Sequence, residues 1–221
     1  MIRLERHREL KTIPAAFRGE KRVEKMLTLL EATGGTPTFD SKYWTKAKKQ
    51  LRAESYGKCA YCEAPTAVVA HADVEHFRPK GVYWWLAYCY DNYLFACQIC
   101  NQSFKGDRFP VDDENARMAP PALVPGATDA QKHEYVRVLA PDPCDPVAGR
   151  DWGEFEAACR AERYHLLNPC LDEPADHFAW EPDEALREVK VRAKSPASRH
   201  HSEAAESCYG LNRPELLAER W

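Results

Sequence analysis

The sequence predicts an α+β fold, in which a small cysteine-stapled core of two strands and a helix is embedded in a mainly helical chain. Three observations predict it. Two C-x-x-C pairs, Cys59 with Cys62 and Cys97 with Cys100, stand 34 residues apart. Short apolar or aromatic runs at 72–77 and 83–90 lie between them and read as strands. Outside this stretch, apolar residues recur at three- and four-residue spacing, the mark of helices with one buried face.

In chain order, Gly19–Ala32 reads as a helix with Val23, Met26, Leu27 and Leu30 on one face. Gly34 and Gly35 end it, and Pro37 lies just beyond. A second helix is expected over 41–56. Trp44, Ala47 and Leu51 form its apolar stripe, ringed by Lys42, Lys46, Lys48, Lys49 and Arg52. Such a ring is either a solvated face or one that meets phosphates. Residues 67–70 and 72–77 are expected as short strands, 83–90 as a third, and 100–108 as a helix. Six prolines between Pro120 and Pro146 make 111–150 loop-rich. A helix should follow over 152–165, then turns across 166–178. A hairpin is expected over 180–192, turning at Pro182 and Asp183. The last helix should run over 195–209, with Ala197, His201, Ala204, Ala205 and Cys208 inward and Gly210 as its stop. The chain thus divides into a basic helical segment (1–56), a core (57–110) and an acidic extension (111–221), with no internal repeat.

The 221 residues, 44% hydrophobic and 29% charged, have an ordinary globular balance, which excludes a mostly disordered chain. The net charge of −3 hides an asymmetry. Residues 1–60 hold 14 Lys/Arg against 7 Asp/Glu (+7), and residues 111–221 hold 13 against 22 (−9). No apolar run is long enough to span a bilayer. The opening MIRLERHREL has basic residues but no apolar stretch after them, which argues against a signal peptide. A cytoplasmic protein without a membrane partner is expected.

Nine cysteines, an odd number, fit poorly with a disulfide framework in a reducing compartment. Each C-x-x-C turn points two sulfurs at one ion, and two such knuckles complete a tetrahedral Zn²⁺ site. The rival reading is a redox C-x-x-C, which two pairs without a thioredoxin-like pattern do not favour. Four sulfurs leave no open coordination position, so this zinc on Cys59, Cys62, Cys97 and Cys100 is structural. Cys89, Cys144, Cys159, Cys170 and Cys208 read as small buried residues.

Between and beside the knuckles lie Val74-Glu75-His76-Phe77-Arg78-Pro79-Lys80, then Asn92, then Asn101 and Lys105 directly after Cys100. Phosphodiester hydrolysis needs a base for water, a Lewis acid for the scissile oxygens and cations for the phosphates. His76 can serve as the base, since imidazole titrates near neutral pH. Adjacent strand residues face opposite ways, so Glu75 joins His76 in one site only if the chain bends or another element closes over it. Asp73, facing the same way as Glu75, is the fallback carboxylate. Arg78, Lys80 and Lys105 are candidate phosphate contacts, each with a plain reading as a surface cation. His71 reads as a strand histidine, His200 and His201 as helix surface and core, and Trp84 and Trp85 as core packing rather than base-stacking platforms.

The pattern C-x-x-C, [DE]-H-x-x-P, Asn, C-x-x-C-[NH]-x-x-x-K resembles the HNH, or ββα-metal, endonucleases, closest to their zinc-knuckled branch. The stretches CAYCE, DVEHFRPKG, ACQICNQSFKGDRFP, LLNPCLDEPADHF and YGLNRPEL narrow it further. From Cys59 to Arg213 the chain resembles the PtuB-like HNH component of Septu anti-phage systems, also found beside some retrons. The resemblance implies a zinc-stapled ββα-metal core. It further implies that Glu75 and Asn101 hold one Mg²⁺ or Mn²⁺, that His76 is the catalytic base and that Asn92 pins its loop. It favours Arg78 and Lys105 as phosphate contacts, and implies an ATPase partner of the PtuA type. Glu75 stands where Asp is usual, and Asn101 where His is usual. Both keep an oxygen donor, so neither implies a dead enzyme.

Two functional readings follow. One is a metal-dependent endonuclease acting on DNA or RNA in phage defence. The other is a zinc-stapled adaptor that only docks onto a partner. The complete Glu75, His76, Asn92 and Asn101 set favours the first.

Overall fold

The computed structural model describes residues 1–32, 38–66 and 72–221. Helix α1 (Gly19–Ala32) forms as the periodicity predicts, but it buries Val23, Met26 and Leu29, with Leu27 and Leu30 only half-covered. The expected second helix runs as α2 (Ser41–Trp44), a 3-10 turn (Thr45–Ala47) and α3 (Lys48–Glu54). Asp40 caps it by accepting from the Lys42 amide at 3.0 Å. Tyr43, Ala47 and Leu51 turn inward and the lysines outward. Gly34, Gly35, Pro37, His71 and the expected strand over 67–70 lie outside the described residues.

Strand β1 (Ala72–His76) pairs antiparallel with β2 (Tyr93–Cys97), placing His76 opposite Tyr93 and Ala72 opposite Cys97. This corrects the expected third strand at 83–90. There the backbone closes on itself instead: the Leu86, Ala87 and Cys89 amides donate three residues back, at 2.9, 3.0 and 3.2 Å. Aromatic content suited that segment to the core, and local turns met its backbone needs. A seven-residue π helix (Ile99–Lys105) follows β2 where the α helix was expected.

The acidic extension contains a helix that the prolines hid, α4 (Asp129–Arg137). Its capping box, Thr128 with Gln131, was a legible signal. Next come α5 (Trp152–Ala161), the short α6 (Pro174–His177) and a hairpin of β3 (Phe178–Asp183) and β4 (Glu188–Ala193). The hairpin turns at 184–187, not at Pro182 and Asp183. Pro182 sits within β3, which a two-stranded sheet allows because every strand is an edge. Helices α7 (Arg199–Tyr209) and α8 (Pro214–Glu219) close the chain. In the turn before α7, Ala197 is exposed rather than inward and Ser198 is buried; Cys144 and Cys170 are half-buried rather than buried.

One hydrophobic core takes residues from every segment, from Met1 and Leu4 to Leu216. The Leu4 amide donates to the Pro169 carbonyl at 2.8 Å, and Arg6 pairs with the buried Glu54 at 2.8 Å. Among the described residues, no helix is long and apolar enough to cross a membrane.

Gly210 caps α7 in the left-handed conformation (φ +61°), and a Cβ there would stand 2.5 Å from the Phe104 ring on the π helix. Only glycine meets both demands. Gly210→Ala is expected to destabilise the protein by about 2 kcal/mol or more, the backbone term alone being ~1–2. A lowered urea midpoint in chemical unfolding checks this.

Candidate functional site

The four knuckle cysteines converge. Cys59 and Cys62 lie in the turn after α3, Cys97 ends β2, and Cys100 opens the π helix. The Ala60 amide donates to the Phe95 carbonyl at 2.8 Å, fastening the first knuckle to β2. All four sulfurs are buried and lie within 4.8 Å of one another, with Cys62 and Cys97 at 3.9 Å. Tetrahedral zinc with ~2.3 Å bonds needs sulfurs roughly 3.8 Å apart, so the cluster fits a structural zinc. Four buried thiols cannot all ionise unaided. Burial holds the Cys59 thiol up, and bonding to its neighbours, Cys59 first, holds Cys100 up. Bonding from Cys100 pulls Cys62 down, and Cys97 to about 7. A divalent cation resolves that competition. Arg213 Nη1 adds positive charge by donating to Cys100 Sγ at 3.4 Å.

Beside this cluster, β1, the π helix and α2 enclose a cleft of about 250 Å³ whose lining includes Trp44, Glu75, His76, Lys80, Asn101 and Asp107. Glu75 and His76 share it because β1 ends at His76 and the chain bends at Phe77 and Arg78, while the π helix covers the other side. His76 Nε2 sits 3.0 Å from the Ala87 carbonyl. A carbonyl only accepts, so Nε2 carries the proton and Nδ1 the lone pair. The edges of Trp44 and Tyr93, with ring centres 4.8 and 5.1 Å away, fix the imidazole plane. Burial pushes the His76 pKa down to about 3, helped by the charges of Lys80 and Lys105 against the Ala87 hydrogen bond. The ring is therefore neutral at pH 7.

Asn92 clasps the chain just beyond His76. Its Oδ1 accepts from the Arg78 amide at 2.8 Å, and its Nδ2 donates to the Arg78 and Leu86 carbonyls at 3.0 and 3.3 Å. Glu75 is buried, and burial raises its carboxyl pKa against the pull of Lys105. Lys105 Nζ reaches Glu75 Oε1 at 2.5 Å and the His76 carbonyl at 3.1 Å. The Tyr61 hydroxyl lies 3.4 Å from the same Oε1, and its ring stacks on Tyr209 at 3.8 Å. Both contacts address Oε1, which leaves Oε2 for other donors.

Two expectations need correction. Arg78 and Lys105 do not present cations to phosphate. The Arg78 side chain, 2% exposed, forms a buried pair with Glu162 of the acidic extension at 2.6 Å and donates to the Cys159 carbonyl at 3.2 Å. The Lys105 side chain is fully buried under Glu75. Among the described residues, the cation that lines the cleft is Lys80, lying 5.7 Å from the Trp44 ring centre. Asp73 is not part of this lining; it pairs with Lys48 at 3.4 Å and accepts from Gln102 at 3.2 Å. Trp85 is buried and Trp84 half-buried against the core. His200 and His201 pack with His165 and His177, around a separate cleft. Sequence reasoning missed Trp44 and Asp107 as cleft residues. Trp44 read as an ordinary stripe residue, and Asp107 carries no signal beyond its position two residues after Lys105.

The fold and this pair of sites define a mixed helix and sheet protein, built around a buried four-cysteine cluster beside a polar cleft. The chain is similar to the Septu protein PtuB of Bacillus mycoides (strain KBAB4), 31% identical over 211 residues that take in 86% of this chain. That likeness bears out the resemblance to PtuB-like proteins carried by the motifs. The chain spans 57% of the length of that relative. No family model matches the chain, and no solved structure matches it.

Elemental analysis of protein purified without chelator should find one zinc per chain, and Cys97→Ser should unfold the core rather than merely weaken it. Stoichiometric folding without zinc would refute the site. Lys105→Met should cost about 3–5 kcal/mol by urea unfolding, because it strands a buried carboxylate. The pair Glu75→Gln with Lys105→Met should recover most of that loss, since no lone charge then stays buried.

Proposed function

We propose that this chain is the HNH endonuclease component of a Septu-type anti-phage system, hydrolysing nucleic-acid phosphodiester bonds with a divalent metal ion. The observation that carries this reading is the shared cleft of Glu75, His76 and Asn101, with the lone pair of His76 held on Nδ1. The likeness to a Septu protein PtuB supports the defence role and a PtuA-like ATPase partner. The acidic extension, with its charge of −9, supplies a surface for that partner.

In this mechanism Glu75 and Asn101 would hold Mg²⁺ or Mn²⁺ through oxygen, a hard donor set suited to such ions. When bound, the ion supplies Lewis-acid charge to the scissile phosphate oxygens. His76 Nδ1 accepts the proton of the attacking water. The Ala87 carbonyl fixes the tautomer, and Trp44 and Tyr93 fix the ring plane. A phosphate in the cleft adds negative charge near the imidazole and so favours the protonated form that the transfer creates. Asn92 holds the backbone that follows His76, and Lys80 contacts the phosphate.

His76→Ala is expected to lower cleavage by the chain with its ATPase partner ~10²–10⁴-fold. Its zinc content and partner binding should stay unchanged, while loss of the buried ring lowers the unfolding midpoint modestly. Glu75→Ala should also lose activity, with partial recovery in excess Mg²⁺ or Mn²⁺, whereas no metal should rescue His76→Ala. Cleavage by His76→Ala at the wild-type rate would refute the mechanism. Full phage protection by both variants would instead identify a zinc-stapled adaptor.

A further inference from the structure

We propose that the outer face of α2 and α3, a segment outside the cysteine-bounded motif, is the nucleic-acid track that leads into the cleft. This rests on the reading of the cleft as a nuclease centre. The link between them is Trp44. It belongs to α2, yet it lines the cleft, packs edge-on against His76 and lies under Lys80. The wall of the cleft and the start of the cationic face are therefore one side chain.

From Trp44, the last residue of α2, the charges continue through the 3-10 turn (Thr45–Ala47) into α3. Lys48, at the start of α3, pairs with Asp73 of β1, the strand that carries Glu75 and His76, and Arg52 follows Lys48 one turn on within α3. Lys49, Lys42 and Lys46 lie further round. Lys42, Lys46, Lys49 and Arg52 are all exposed, and among the described residues none of them has an ion-pair partner. The one acid between residues 41 and 54 is Glu54, which is buried and paired with Arg6. The nearby acids are few. Asp40 pairs with Lys25, Asp73 with Lys48, and Asp107 stands at the cleft.

The geometry suits a phosphate backbone. Trp44 to Arg52 spans roughly 12 Å of helix, the axial length of three to four phosphates of one strand. The apolar face of the helix, Tyr43, Ala47 and Leu51, is buried in the protein core, which removes the face an interfacial membrane helix would insert. The charge imbalance of the whole chain acts in the same direction. The acidic extension repels a polyanion, and the basic front attracts it. Contacts of this kind position the strand and do not read its bases.

The test uses the full chain with its ATPase partner, in a His76→Ala background so that the probe survives. Lys42, Lys46, Lys49 and Arg52 are replaced together by Gln. A control variant carries Gln at Lys132, Arg187, Lys190 and Arg192. Binding of a fluorescent DNA duplex is followed by anisotropy between about 50 and 200 mM salt. Each duplex phosphate contact contributes ~0.9 to the slope of log affinity against log salt, so the track variant should lose roughly 3–4 units of slope. The control should lose little, and both should keep zinc and the unfolding midpoint. An unchanged slope overturns the proposal. So does a track variant that loses the ATPase partner but not the duplex, since the face would then be a protein-docking surface. If the slope falls as expected but the complex with native His76 cuts no nucleic acid, the track stands and the nuclease reading fails.

Discussion

The structure depends on the convergence of four buried sulfurs. Cys59 and Cys62 come from the turn after α3, Cys97 from the end of β2, and Cys100 from the start of the π helix. Their mutual approach sets the angle at which the π helix leaves the sheet. That angle decides where Asn101 and Lys105 fall relative to Glu75 and His76. A two-stranded sheet is marginal by itself, and a seven-residue helix cannot persist alone in water. The sulfur cluster, whose spacing fits a structural zinc, joins these short elements at one point.

Around that anchor, the polar groups of the motif divide by depth. His76, Lys80 and Asn101 line the cleft, while Lys105, Arg78 and Asn92 lie beneath it and hold the chain in place. Lys105 ties the π helix to Glu75 and to the His76 carbonyl. Arg78 ties the bend after β1 to Glu162 just past α5. A second connection reaches Glu75 from the far end of the chain, through Tyr209 stacked on Tyr61. The acidic extension is therefore part of the support of the cleft.

This arrangement gives the cleft an electrostatic character that its residue types alone do not suggest. Two cations sit close to a neutral histidine, and a buried carboxylate sits against a buried ammonium. The ammonium of Lys105 is largely answered by Glu75, so the cation left facing the neutral imidazole across the cleft is Lys80. Outside the cleft, Lys42, Lys46, Lys49 and Arg52 on α2, α3 and the turn between them stay exposed.

What the sequence determined by itself was local. Cysteine spacing located both knuckles, apolar periodicity found α1 and the body of α7, and Gly210 marked where α7 stops. Alternation and the motif located β1 together with Glu75 and His76. Tertiary structure decided what depends on partners distant along the chain. Arg78 finds Glu162, 84 residues away, and Lys105 finds Glu75, so both are buried instead of meeting phosphate. Trp44 reaches His76 across the chain and becomes a wall of the cleft. The second strand formed at 93–97 rather than 83–90, since β-propensity does not say which segment can pair with β1 while placing Cys97 at the sulfur cluster. The common reason is that a charged or aromatic side chain has no fixed role until its neighbours set its exposure, and those neighbours lie far apart in sequence.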